Sequence, residues 1–409
     1  MREMKDSGIS FIGMIPSDWN VTRNKNVFSC TKELVGTASS ETQLLSLTTK
    51  GIKEKDVNNP EGKLPESFDT YQFVKKNDIV MCLFDLDVSA VFSALSLYDG
   101  MISPAYRVLH CKNNIIPKFA DYWFRYISDG RKFNHYAKNI RYTLNYEDFS
   151  TLPIVQPPID RQCRIADYLD EKCSKIDAII EKQQTVIEKL KAYKLSKINE
   201  LIVEVEGQSI HLGYIANMKN GLNFNAAPNG KPLKFLGVGD FKDYFVLDRE
   251  DMFSDILIDE EIDEEYMLKD GDIVFVRSNG SKELVGRAVM VENIDFPLSY
   301  SGFCIRFRNI RTDILNDRYL LYFFRSPYFR EQLKKYSQGS NINNINQALL
   351  SQISITVPSI EIQKRAIDDV ERLSYNLDKT IIGKQALIDK LIAYKKSLIY
   401  EVVTGKKEI

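Results

Sequence analysis

An internal duplication restricts the fold of this chain more than any other feature. Residues 157–200 match residues 358–401 without a gap, at a constant offset of 201. Identities fall at Pro157/Pro358, Ile159/Ile360, Gln162/Gln363, Arg164/Arg365, Asp167/Asp368, Asp177/Asp378, Ile180/Ile381, Gln184/Gln385 and Ile187/Ile388. Lys189-Leu190-Lys191-Ala192-Tyr193-Lys194 then recurs as Lys390-Leu391-Ile392-Ala393-Tyr394-Lys395. A repeat of this kind means that the architecture uses one plan twice.

Each copy has helical spacing. Ile165, Leu169, Ile176, Ile180, Ile187, Leu190, Ile198 and Leu201 follow steps of three, four or seven, and Val370, Leu373, Leu377, Ile381, Ile388, Leu391, Leu398 and Val402 repeat the seam. Pro157, Pro158 and Pro358 sit just upstream, where a helix can begin but cannot continue backwards. A helix of about forty residues is a rod of roughly 60 Å that cannot bury its seam alone. The simplest solution is that the two copies cover each other as an antiparallel coiled coil with a globular segment at each end. A coiled-coil dimerisation arm is the alternative.

The segments before each helix share an order of features rather than a sequence. The β-rich runs 78–83 and 272–277 are followed by aromatic helical stretches, Phe119 to Ile127 and Arg318 to Phe329. Both segments close on a short strand into proline, 152–155 and 353–357. The expected fold class is α+β: two pseudo-repeated α/β domains, 1–156 and 207–357, separated by two long antiparallel coiled-coil helices, 157–206 and 358–409.

At 409 residues the chain is too long for one ordinary core. No apolar run approaches the ~18 residues of a membrane span, so no membrane association is expected. Met1 to Ser10 is polar, unlike a secretory leader, which points to a cytoplasmic protein. Six cysteines, Cys30, Cys82, Cys111, Cys163, Cys173 and Cys304, form no CxxC pair and read as reduced packing residues rather than zinc ligands. The net charge of −1, from 55 basic and 56 acidic side chains, argues only in part against nucleic acid, because the two signs can occupy different faces.

Catalytic motifs fail on detail. His110, His135 and His211 lack metal-ligand spacing, and neither GxSxG nor GxxxxGK[ST] occurs. The acidic run 259–265 reads as a solvated or partner-facing surface. Phe235-Leu236-Gly237-Val238-Gly239 and Gln156-Pro157-Pro158-Ile159 imitate the cofactor and catalytic loops of an adenine methyltransferase. That chemistry needs an Asn, Asp or Ser oxygen and an aromatic ring to hold a flipped base, and Gln and Ile stand there instead. The expectation is a chain without catalysis, cofactor or metal of its own.

Several runs, in order and twice over, resemble the type I restriction-modification DNA specificity subunits. Gly13-Met14-Ile15-Pro16-Ser17-Asp18-Trp19 is similar to the family's N-terminal signature. Gly271-Asp272-Ile273-Val274-Phe275-Val276-Arg277-Ser278-Asn279-Gly280-Ser281, continuing to Leu284-Val285-Gly286-Arg287, resembles its target-recognition motif. Ser103-Pro104-Ala105-Tyr106-Arg107 is taken as the counterpart in the first domain, and Pro157-Pro158-Ile159 with Gln162 opens the central helical region. The first domain departs from the pattern where Phe84-Asp85-Leu86-Asp87 replaces the Arg-Ser-Asn-Gly-Ser loop. The resemblance implies double-stranded DNA with a bipartite target, one half read by each target recognition domain. It also implies two modification subunits, which carry S-adenosylmethionine, and a restriction/translocase subunit. The rival from another class is a coiled-coil scaffold that never touches DNA.

Base edges are read by Arg, Lys, Asn, Gln and Ser/Thr, and phosphates by Lys, Arg and amides. The DNA-binding candidates in the second domain are Arg277, Ser278, Asn279, Ser281 and Lys282, with Gln338, Ser340, Asn341 and Asn343 from the glycine- and asparagine-rich run 337–344. In the first domain they are Thr48, Thr49, Lys50, Arg107, Lys138, Asn139, Arg141 and Tyr142. Turns favour the same residue types, so an ordinary loop role stands beside each assignment.

Overall fold

The architecture is that of a computed structural model describing residues 2–56, 65–86, 92–136, 142–223, 230–259, 261–281, 283–336 and 344–409. The chain divides into two compact units, Met1–Gln183 with Ala386–Ile409, and Gln184–Gln385. Each mixes strands and helices, and each contains half of both long helices, Ile159–Ile202 and Ile360–Val403. No described helix is long and apolar enough to cross a membrane.

In the first unit a four-stranded sheet runs in the order Phe28–Ser29, Arg107–Cys111, Ile79–Met81, Ser93–Leu95. The helix Pro117–Ser128 buries Phe119, Trp123 and Phe124 in one core with Ile79, Leu109 and Phe149. The second unit repeats the plan on a larger scale. Its five-stranded sheet runs Ala216–Asn220, Cys304–Asn309, Ile273–Val276, Ala288–Val291, Val246–Leu247, beside a three-stranded sheet of Ser254–Ile258, Lys231–Leu236 and Leu298–Tyr300. The single aromatic helix expected over Arg318–Phe329 is two, Asp317–Phe324 and Pro327–Tyr336. Pro327 has no N–H to continue the first, and the Ser326 hydroxyl accepts from the Phe329 amide at 3.2 Å at the start of the second.

Three devices recur in both units and fix the equivalence of positions. Before the central strand of each sheet stands a residue with positive φ, Asn77 at 76° and Gly271 at 84°. A buried aspartate follows: Asp78 accepts from the Lys75 amide at 2.7 Å, and Asp272 from the Lys269 amide at 2.8 Å. Their other oxygens take His110 Nδ1 at 2.7 Å in the first unit and Arg308 Nε at 2.7 Å in the second. In the second device, Asn145 and Asn346 cap equivalent six-residue helices, accepting from the amides of Asp148 and Leu349.

The third device joins each globular part to its long helix. Gln162 and Gln363, both fully buried, lie in the first turns after the prolines. Gln162 accepts from the Ile116 amide and donates to the carbonyls of Asn114 and Pro157. Gln363 accepts from the Asn316 amide and donates to Ile314 and Pro358. A buried amide satisfied this way fixes direction as well as contact. Tyr122 and Tyr322 add hydroxyl bonds to Asp170 and Glu371 on the same helices.

The seam read from the periodicity is the buried face. Ile165, Leu169, Cys173 and Ile176 share a core with Leu398, Ile399 and Val402 in the first unit, and Ile198 and Ile202 share one with Ala366, Ile367 and Val370 in the second. In both units the pairing is antiparallel, and an ion pair marks it: Lys395 to Asp177 at 2.6 Å, and Lys194 to Asp378 at 2.7 Å. The last helix stops at Gly405, whose φ of 72° suits glycine and where a Cβ would stand 2.5 Å from Pro16. Cys163 is exposed on the central helix, so it is not a packing residue as expected, while Cys82, Cys173 and Cys304 are buried.

Replacing Gln363 with Met keeps the volume but orphans the Asn316 amide and two carbonyls. Chemical denaturation of the full-length protein should show a loss of about 1–3 kcal/mol, and unchanged stability would contradict the clamp role.

Candidate nucleic-acid interface

The strand Ile273–Val276 is buried at every position, so the chain leaving it at Arg277 is held by its neighbours. The Arg277 amide donates to the Phe303 carbonyl at 2.7 Å, and its own carbonyl accepts from the Ile345 amide at 2.9 Å. Ser278 forms an antiparallel bridge with Asn344. Asn279 Oδ1 accepts from the Ser281 amide at 2.7 Å, a side-chain turn that orders the loop without a regular element. The Gly302 amide donates to the Leu222 carbonyl at 2.8 Å, and a Cβ on Gly302 would stand 2.5 Å from Asn223 Oδ1, so a side chain there would have to displace that of Asn223.

Four segments therefore meet at one end of the second unit: 221–223, 277–281, 301–303 and 344–345. Arg277 is half-buried, and among the described residues its guanidinium donates to the Gly302 carbonyl alone, at 3.3 Å, out of the five N–H donors it carries. Ser278 and Asn279 are half-buried and Ser281 is exposed. Phe303, 55% exposed, is the residue that the sequence reasoning missed. The signal available for it was Gly302, a close-approach glycine beside a large apolar residue. Lys282, Gln338, Ser340, Asn341 and Asn343 lie outside the described residues.

The first unit builds the corresponding end differently. Leu83 occupies the place of Arg277: its carbonyl accepts from the Leu144 amide at 2.8 Å as that of Arg277 accepts from Ile345, and its side chain is buried. Phe84 stacks on Tyr106 with centroids 6.1 Å apart. Tyr142, 39% exposed with φ at 45°, accepts the Leu86 amide at its carbonyl. Arg107 is exposed at the start of its strand and opposite Met81. That register corrects one expectation. Ser103–Arg107 leads into the strand paired with Ile79–Met81, so it corresponds to Ser301–Ile305, while the counterpart of Gly271–Arg277 is Asn77–Leu83.

Thr48, Thr49 and Lys50 form the turn between the strands Leu45–Thr48 and Gly51–Glu54. Thr48 Oγ1 donates to the Gly51 carbonyl at 2.8 Å and accepts the Lys50 amide at 3.2 Å. Thr49 and Lys50 are exposed. Among the described residues no hydrogen bond or ion pair joins this turn to Arg107 or Tyr142, so the structure does not gather the first-domain candidates as it gathers those of the second. Lys138, Asn139 and Arg141 lie outside the described residues.

The methyltransferase look-alikes have structural work. Gln156 Nε2 donates to the Asn114 carbonyl at 2.9 Å, and Phe235-Leu236 end a strand before a turn in which Asp240 accepts the Gly237 amide at 2.8 Å. Among the described residues no group of three His, Cys, Asp or Glu side chains is placed to hold a metal ion.

Residues 208–390 match the family model described as the type I restriction modification DNA specificity domain. Over 134 residues, 33% of this chain, the protein is 28% identical to the type I restriction enzyme StySPI specificity subunit of Salmonella potsdam, and the match spans 28% of that relative. With the MjaVIII specificity subunit of Methanocaldococcus jannaschii the identity is 24%, over 81% of this chain and 80% of that one. A solved chain from a study of complex assembly and conformational transition in a type I R-M system superposes with a TM-score of 0.74 at 14% identity, covering 96% of this chain and 99% of that one, which shows a shared fold.

Replacing Arg277 with Ala is expected to cost about 1–3 kcal/mol of discrimination at one half of a target duplex. Competition binding against duplexes scrambled in either half measures it, and an equal loss at both halves contradicts the placement.

Proposed function

We propose that the chain is a type I restriction-modification DNA specificity subunit that binds a bipartite target in double-stranded DNA, one half at each domain. It acts without catalysis of its own. Methyl transfer to adenine and strand cleavage come from two modification subunits and a restriction/translocase subunit docked on it, and the long helices set the number of unread bases between the half-sites.

The observation that carries this reading is the contrast between frame and tip. The buried aspartate, the capping asparagine and the glutamine clamp recur in both units, whereas the residue at the end of the central strand changes from a buried leucine to a half-buried arginine that, among the described residues, donates from its side chain to one carbonyl. A scaffold that only presented helices to partners would gain nothing from two frames with different tips. A bipartite reader needs both, because each half-site has its own pattern of donors and acceptors in the major groove.

Methylome sequencing of the host with and without this chain tests the proposal. A bipartite methyladenine motif is expected to vanish with the chain, and an unchanged methylome contradicts the function.

A further inference from the structure

The two units also differ at an arginine. Tyr122-Trp123-Phe124-Arg125 and Tyr322-Phe323-Phe324-Arg325 stand at equivalent positions, registered by the tyrosine bonds to Asp170 and Glu371. In the first unit Arg125 is paired with the buried carboxylate of Asp121 at 2.7 Å, one turn earlier on the same helix. In the second unit that place is taken by Leu321, fully buried. Arg325 Nη1 donates to the Ala288 carbonyl at 3.2 Å, and the guanidinium lies 4.0 Å over the Phe245 ring. Among the described residues no carboxylate lies within ion-pair distance of it.

A second arginine stands beside it. Arg287 donates to the Lys242 carbonyl and reaches the Asp243 carboxylate at 3.3 Å, and Asp243 is fully exposed. The carboxylate at hand thus pairs with Arg287 and not with Arg325, and its full exposure makes it a weak counter-ion for both charges. Burial, and then the charge of Arg287, pull the pKa of Arg325 down to about 10. Burial also works against the charge on Arg125, but Asp121, together with Tyr122, offsets it and the net shift is upward. The same position in the repeat is satisfied internally in one copy and left wanting an anion in the other.

The location identifies the anion. Arg287 adjoins Val276, whose amide donates to the Arg287 carbonyl at 2.9 Å, and Val276 immediately precedes Arg277. We propose that Arg287 and Arg325 together grip a phosphodiester group of the DNA backbone beside the half-site read at Arg277. This rests on the DNA-reading function above and adds to it a site that positions the duplex without reading its sequence. Stacked over the Phe245 ring and bonded to the Ala288 carbonyl, the Arg325 guanidinium is held against the domain rather than extended toward base edges. Its planar fork matches a phosphate at the rim, where such contacts fix register.

The test is duplex binding by the full-length chain, followed by fluorescence anisotropy across a range of salt concentrations. Arg325→Gln and Arg287→Gln should each reduce the slope of log affinity against log salt by about one, while preference among target sequences stays as in the wild type. Arg125→Gln should leave the slope unchanged, since its charge is met by Asp121. Arg287→Gln, on the outer side chain, carries the test if Arg325→Gln does not fold. Wild-type binding with unaltered slopes in both second-unit variants overturns the clamp and leaves the DNA-reading function standing. A wild-type chain that binds no duplex sinks that function itself. Loss of a co-purifying protein from the variants, with slopes intact, would assign the arginines to a partner's carboxylate and likewise overturn the proposal.

Discussion

A helix of 44 residues with one apolar stripe has to find a cover for that stripe, and everything else in this protein follows from the cover being its own repeat. In each unit half of the central helix lies against half of the last one, through Cys173, Ile176, Leu398 and Val402 in one and Ile198, Ile202, Ile367 and Val370 in the other. Burying a side chain of this size contributes roughly 1.5–3 kcal/mol. The ion pairs Asp177–Lys395 and Lys194–Asp378 are partly exposed, and pairs of that kind contribute about 0–1 kcal/mol. Packing therefore holds the helices together and the charges choose the register. The choice has an internal logic: 177 and 378 differ by 201, as do 194 and 395, so one Asp–Lys contact is made twice with the helices exchanging roles.

The globular parts are fixed to these helices by polar rather than apolar means. Gln162 and Gln363 each satisfy one amide and two carbonyls in a fully buried position, where an unsatisfied group is costly. Apolar contact alone tolerates sliding, whereas three hydrogen bonds at one side chain do not. A protein that presents a surface to a helical ligand at a defined angle has use for such rigidity. The ends of the central strands and the arginines near them are among the places where the two units differ.

The long helices were legible because their period is long and their duplication is nearly complete. The aromatic helix of the first unit was legible from its apolar density, but that of the second was misread across Ser326-Pro327, where a proline signal was overridden by the run of aromatic residues. At the interface, Arg277, Ser278 and Asn279 were found because a motif lies contiguous in sequence. Phe303 joins them only through strand pairing, which no local pattern announces. The mispairing of Ser103–Arg107 with Gly271–Ser281 has the same origin, since equivalence was set by the buried Asp78 and Asp272 rather than by resemblance of loops. The unmatched charge of Arg325 was invisible for a further reason: it is defined by the absence of a carboxylate at Leu321, and that becomes apparent only when the two copies are aligned in space.

The most direct test of two independent readers on one repeated frame is a hydroxyl-radical footprint of the full-length protein on its target duplex. Two protected segments separated by accessible bases are the expected pattern. A single continuous protected stretch, or protection confined to one segment, would contradict the account.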